Sequence, residues 1–150
     1  MKPLFVLIVV FILFLVATKL IKGQCDVNLS GRAALAAMFI FTSIGHFVFT
    51  KGMSLMMPDI IPYKFQIIIA SGILELVFAC AVLFLHDRFA GWIIIAFLIL
   101  VLPANIKAAF ENINYETAEH NGSGLKYLFW FRIPFQLFLI GWIYFFLIRK

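Results

Sequence analysis

Ser71-Gly72-Ile73-Leu74-Glu75 lies in the middle of the apolar run Phe65 to Leu85, and its carboxylate decides how the chain is read. The run is long enough to cross a bilayer, whose hydrocarbon core takes about 20 helical residues. An ionisable side chain at the centre of such a helix costs roughly 3 kcal/mol on insertion scales, so it persists where it faces a protein interior and has a partner. Other apolar runs supply four polar partners: His46, Asn105, Arg132 and Gln136. The reading is therefore a helical membrane protein with a polar interior site.

Composition supports this. The 150 residues are 65% hydrophobic and 13% charged, with mean hydropathy +1.09, whereas a soluble domain is about half apolar and a quarter charged. Nineteen phenylalanines and several long apolar runs predict a single bundle of membrane helices. The net charge is +5, but the basic residues cluster at the ends of apolar runs, as interface anchors do. No basic stripe is present to neutralise phosphates, which argues against a nucleic-acid partner. Cys25 and Cys80 form no Cys-x-x-Cys, so neither a zinc ligand set nor a dithiol redox pair is expected, and no metal motif is present.

In chain order, Leu4 to Ala17 is an unbroken apolar run between Lys2 and the pair Lys19 and Lys22. No Ala-x-Ala-like site follows it, and Gln24 is too large for a lipoprotein signal, so a retained N-terminal anchor helix is expected over 1–22. Cys25 to Gly31 reads as a polar connector with Ser30 as the N-cap of a second helix, Ala33 to Phe49. Thr50 to Lys64 carries Met53, Met56 and Met57 and then Pro58 and Pro62. Two prolines four apart resist a regular helix, so this stretch predicts an interfacial turn with an apolar underside. The third helix is Phe65 to Leu85; His86-Asp87-Arg88 makes a turn; the fourth helix runs from Phe89 to about Phe110. Glu111 to Lys126 is a soluble connector with a break at Gly122-Ser123-Gly124. Tyr127 to Ile148 is the fifth helix, with Tyr127, Trp130, Trp142 and Tyr144 placed as interface aromatics.

Alternate helices run in opposite directions, so depth can be followed from the sequence. If the N-terminus marks side A, His46 falls in the last turn of the second helix on that side. Glu75 lies halfway down the third, Asn105 in the last turns of the fourth, and Arg132 and Gln136 in the first turns of the fifth. All five polar groups fall between the side-A interface and the midplane. Helical spacing puts Ser71, Gly72, Glu75 and Ala79 on one face, and likewise Thr42 with His46 and Arg132 with Gln136. Pro103 and Pro134 free the carbonyls of Ile99 and Trp130, for which Asn105 and Gln136 are candidate donors.

Plainer roles compete. Arg132 in its position also suits snorkelling, His46 an interfacial histidine, and Asn105 and Gln136 helix–helix ties. His86, His120 and the stretch Glu116-Thr117-Ala118-Glu119-His120 read as solvated surface rather than metal ligands. Glu75 has no comparably plain role.

At Gly45-His46-Phe47, Pro58 with Ile61-Pro62, Ser71 to Glu75, Leu102-Pro103-Ala104-Asn105-Ile106 and Arg132-Ile133-Pro134-Phe135-Gln136, the sequence resembles the DoxX-like family of small bacterial membrane proteins. The resemblance runs from about Gly31 to Phe146. It implies an all-α, integral membrane helical bundle: a four-helix DoxX-like core over 31–150 plus one N-terminal transmembrane helix. Some relatives are subunits of redox systems, including a thiosulfate:quinone oxidoreductase; others assist the maturation of other proteins. Two functions are therefore expected. One is a redox-linked subunit holding a quinone or lipid-like molecule among His46, Glu75, Asn105, Arg132 and Gln136. The other is a non-enzymatic accessory protein for a membrane complex. No catalytic residue is identified, and whether the protein is an enzyme stays open. The expected setting is the bacterial inner membrane, multi-pass, with a membrane or periplasmic protein as partner. Five cations fall on side A and six on side B, leaving Arg132 aside; the charges after the first helix place side B in the cytoplasm.

Overall fold

A helix satisfies the backbone hydrogen bonds of an apolar run within the segment itself, which such runs need wherever water is excluded. The computed structural model describes residues 2–149 apart from His86 and Ser123, with the side chains of all of these but Lys22 and Tyr127. The turn role of His86, the break at Ser123, the Lys22 flank and the interfacial placing of Tyr127 lie outside the described residues. Among the described residues the chain is helical, with one isolated bridge, Asn114 to Glu119. Its elements are α1 (Lys2–Lys22), α2 (Val27–Val48), α3 (Thr50–Met56), α4 (Lys64–Phe84), α5 (Arg88–Leu100), α6 (Leu102–Phe110), α7 (Gly124–Tyr127) and α8 (Ile133–Ile143), with π turns at Leu128–Arg132 and Tyr144–Ile148. Among the described residues five segments are long and apolar enough to cross a membrane: Lys2–Ile21, Val27–Val48, Lys64–Phe84, Arg88–Phe110 and Gly124–Ile148.

Three boundaries differ from expectation. The second helix begins at Val27, not Ala33, because Asp26 takes the cap: its Oδ1 accepts from Leu29 N at 2.9 Å. Ser30 is instead buried inside the helix and donates to Asp26 O at 2.7 Å. Second, the stretch after Phe49 is helical through Met56, since Pro58 and Pro62 both fall beyond it and leave its N–H bonds intact. Its underside is apolar, as expected: Met56 packs with Ala108 and Ile113. Third, the fourth helix divides at Val101, where Pro103 within the first turn of α6 removes a backbone donor.

α2 lies at the centre, against α1 on one side and α4 on the other. Leu35, Phe39, Val82, Ile94 and Ile143 form the core, joined by Leu7 of α1, which is fully buried. Trp142 is half-buried; its indole donates to Gly31 O at 3.0 Å and its ring packs on Phe11, Phe138 and Phe146. Trp130 remains exposed near the start of its span.

The contacts at the two ends confirm the alternation. At one end Lys2 pairs with Glu116, Gly52 abuts Tyr115, and Lys107 donates to Met57 O at 3.0 Å and to Asp59 at 3.1 Å. Lys64 and Lys107 together hold the Asp59 carboxyl below its ordinary pKa. At the other end Asp26 N donates to Thr18 Oγ1 at 3.2 Å, Gly91 meets Ile148, and Arg32 reaches the last turn of α4.

Candidate functional site

Close packing of α2 on α4 builds the first part of the site. Gly72 makes it possible: a Cβ there would stand 2.8 Å from the Cβ of His46, which no rotamer change relieves. The hydroxyl of Ser43, fully buried, crosses the same contact and donates to Gly72 O at 2.8 Å. Small residues at such a crossing let backbones approach. The expected stripe of α4 is largely turned inward, with Gly72, Glu75 and Ala79 buried.

This approach sets His46 opposite Glu75. His46 Nε2 stands 3.5 Å from Glu75 Oε1, with the two side chains 15% and 10% exposed. On the other edge of the ring, Nδ1 faces Ser71 Oγ at 2.8 Å and Ile68 O at 3.3 Å, while Ser71 Oγ lies 2.8 Å from Ile68 O. Ile68 O only accepts. If Ser71 donates to it, Nδ1–H donates to Ser71 Oγ, and Nε2 is the nitrogen that faces Glu75. If Ser71 donates to the ring, Nε2–H faces a carboxylate. The ring thus bridges Ser71 on one edge and Glu75 on the other.

Glu75 Oε2 is buried and has no hydrogen-bond partner among the described residues. A buried acceptor left unsatisfied costs about 1–3 kcal/mol, and more if charged. Thr42, which shares the His46 face, turns back onto its own helix and donates to Met38 O and Phe39 O.

Asn105 and Arg132 form a second polar group. An Arg132 N–H donates to Asn105 Oδ1, and the guanidinium lies over the Tyr115 ring, 6.0 Å from its centroid. Both border a cleft of about 260 Å³ whose wall also carries Lys2, Tyr115 and Glu116. Glu116 accepts from Lys2 at 2.7 Å and from Tyr115 at 3.2 Å. The hydrogen bond from Lys2 holds the Glu116 carboxyl below its ordinary pKa, while burial and the adjacent carboxylate push the Tyr115 hydroxyl above its own.

Gln136 belongs to neither group: its Nε2 donates to Leu98 O at 2.6 Å, one residue before the Ile99 carbonyl that Pro103 leaves without its donor. Before Pro134 the helix widens into a π turn, and Phe131 stacks on Phe135 at 5.7 Å. Among the described residues no hydrogen bond or ion pair joins His46 or Glu75 to Asn105, Arg132 or Gln136. The five expected residues are therefore a pair, a second pair and a helix tie. His120 Nδ1 lies 2.8 Å from Glu111 O and Glu119 accepts from Asn121, both at the surface. Cys25 and Cys80 are exposed and unpaired.

Sequence reasoning did not find Ser43, Tyr115 or Lys2. Ser43 sits three residues before His46, one turn away, and that spacing was a usable signal. Tyr115 lies in a connector that reads as soluble, and nothing local marks it.

A protein-family model described as Domain of unknown function (DUF8561) matches residues 35–147, which takes in all five of these residues. No curated protein matches the chain, and no solved structure does.

Proposed function

The chain belongs to the family described as Domain of unknown function (DUF8561), a description that assigns no activity, and from its polar interior we propose that it is a redox-linked membrane subunit whose site takes a quinone or a similar lipid-like molecule. Five candidate spans are consistent with a multi-pass integral membrane protein. The proposal includes the finer setting: a four-helix core of the DoxX-like kind with one further transmembrane helix, in a bacterial inner membrane with side B in the cytoplasm. One observation carries it. Glu75 Oε2 is a buried polar atom without a partner among the described residues, beside an imidazole that can give or take a proton.

These residues suit an oxygen-bearing head group. A quinone would supply two-electron carrier chemistry, with electrons exchanged through a membrane or periplasmic partner protein. The chain's own part is to hold and move protons. With its one proton on Oε2, Glu75 donates to a carbonyl oxygen while Oε1 faces His46; ionised, Oε2 accepts from a hydroxyl. His46 Nε2 holds the proton that Glu75 gives up, and Ser71 orients the ring through Nδ1. Asn105 and Arg132 border a separate cleft and Gln136 ties to Leu98 O, so the head-group site rests on His46, Ser71 and Glu75.

A second reading is favoured by a different observation. Ser43 to Gly72 O, Gln136 to Leu98 O and Trp142 to Gly31 O each tie one helix to another. Such ties alone would suit a non-enzymatic accessory protein that uses buried polar groups to set helix register.

Mass spectrometry of lipid extracts from purified wild type and Glu75→Gln separates the two. The ligand reading expects a quinone or other small molecule retained by wild type and lost from the variant, with stability changed by no more than about 1 kcal/mol because an amide still hydrogen-bonds. Bulk phospholipid alone in both, with equal stability, supports the accessory reading instead.

A further inference from the structure

Two hollows meet at Lys2. The polar cleft beside Arg132 is one. The other, about 460 Å³, is bounded by Phe5, Val6 and Phe41 where α1 lies beside α2, and its lining is almost wholly apolar. Lys2 borders both, and its side chain is 64% exposed. Neither hollow is lined by Glu75 or His46.

Their chemistry differs in a way that selects a ligand class. Among the described residues Lys2 and Arg132 bring two cations to the polar cleft against one carboxylate, Glu116, and Asn105, Asn114 and Asn121 bring amides. A basic pocket between helices suits an anionic head group. A small soluble anion would use that cleft alone, and a plain hydrocarbon the apolar groove alone. A molecule that uses both carries a compact negative head and an attached tail, with Lys2 at the junction, where its stem covers apolar surface and its ammonium meets the head.

We propose that the two hollows are one binding site for an anionic phospholipid, with the phosphate head between Arg132 and Lys2 and an acyl chain along Phe5, Val6 and Phe41. The inference rests on the membrane reading above and is independent of Glu75. Binding of the head competes with Glu116 for Lys2, so the Lys2–Glu116 pair opens as the lipid enters.

Native mass spectrometry of the detergent-solubilised full chain, titrated with phosphatidylglycerol and with phosphatidylcholine of the same acyl chains, tests it. The wild type should bind phosphatidylglycerol about tenfold more tightly, and Lys2→Gln, at an exposed position, should lower that preference by about fivefold. Arg132→Gln should bring the two lipids to near parity. Glycerophosphate, the head without the tail, should show no adduct at the same concentrations. Equal binding of the two lipids by wild type overturns the proposal, as does an unchanged preference in Lys2→Gln. Glycerophosphate binding as tight as the intact lipid removes the groove from the site. Glu75→Gln should keep the lipid preference; its loss there would mean a single site around Glu75. A preference for phosphatidylglycerol with no small molecule retained at Glu75 upholds this inference while the quinone reading fails, and the reverse pattern separates them equally well.

Discussion

Replacing Gly52 with valine should lower stability by about 3 kcal/mol, near the top of the usual range for overpacking. Gly52 is buried in α3, and a Cβ there would stand 2.0 Å from Tyr115 O and 2.6 Å from the Tyr115 carbonyl carbon. Both are backbone atoms, so no side-chain rotation relieves the contact; α3 and the 111–123 connector have to separate. Tyr115 carries that displacement to the polar cleft, because its ring underlies Arg132 and its hydroxyl reaches Glu116. Thermal unfolding in detergent should show the loss. Gly141→Ala is the matched control: nothing lies within 4 Å of the added Cβ, so the midpoint should hold or rise slightly. Equal midpoints for Gly52→Val and Gly141→Ala would contradict this packing.

Arg32→Met should cost about 3 kcal/mol. Arg32 is 4% exposed; its Nε donates to Val82 O at 2.8 Å and an Nη2–H to Leu83 O. Those carbonyls belong to the last turn of α4, where intrahelical donors run out and the helix dipole leaves negative charge. Hydrogen bonds to a charged donor contribute about 1.5–3 kcal/mol each, partly offset because methionine is cheaper to bury. Lysine should not restore the loss, since an ammonium lacks the planar fork that meets two adjacent carbonyls. Amide hydrogen exchange at 81–85 should quicken in the variant before the rest of α4 does. A variant as stable as wild type would mean that burying the guanidinium costs as much as its two bonds return.

Arg32 also shows where sequence reading stops. A cation at the end of an apolar run reads as an interface anchor, and by local pattern that is sound. Only the crossing of α2 against the end of α4 turns it inward, and that crossing depends on packing between residues 50 apart. The helices themselves are legible because their apolar runs end at polar or charged residues: Lys19, Thr50, His86, Glu111 and Arg149. Their starts are less so: Asp26 and Ser30 are both good caps, and it is Asp26 that accepts from Leu29 N while Ser30 lies buried one turn on. The prolines at 58 and 62 predict a break, but a proline harms only the turn before it, so Thr50–Met56 stays helical.

The polar residues were legible as types and depths rather than as contacts. Depth placed His46 near Glu75, and Gly72 explains why they meet. The same depth argument grouped Asn105, Arg132 and Gln136 with them, but depth carries no information on azimuth. The kink at Val101 and the π turn before Pro134 rotate side chains by amounts that no regular 3.6-residue repeat gives. Tyr115 and Lys2 stayed hidden because a connector and a chain end have no periodicity to read.

The proposal that Glu75 and His46 form a ligand site is tested most directly by photolabelling with an azidoquinone in native membranes, followed by peptide mapping. The account predicts label concentrated on residues 43–47 and 71–75, displaced by unlabelled quinone and lost in Glu75→Gln. Label spread over the exposed apolar faces of α1 and α4, not displaced by quinone, would contradict it and leave the buried pair as a structural tie between α2 and α4.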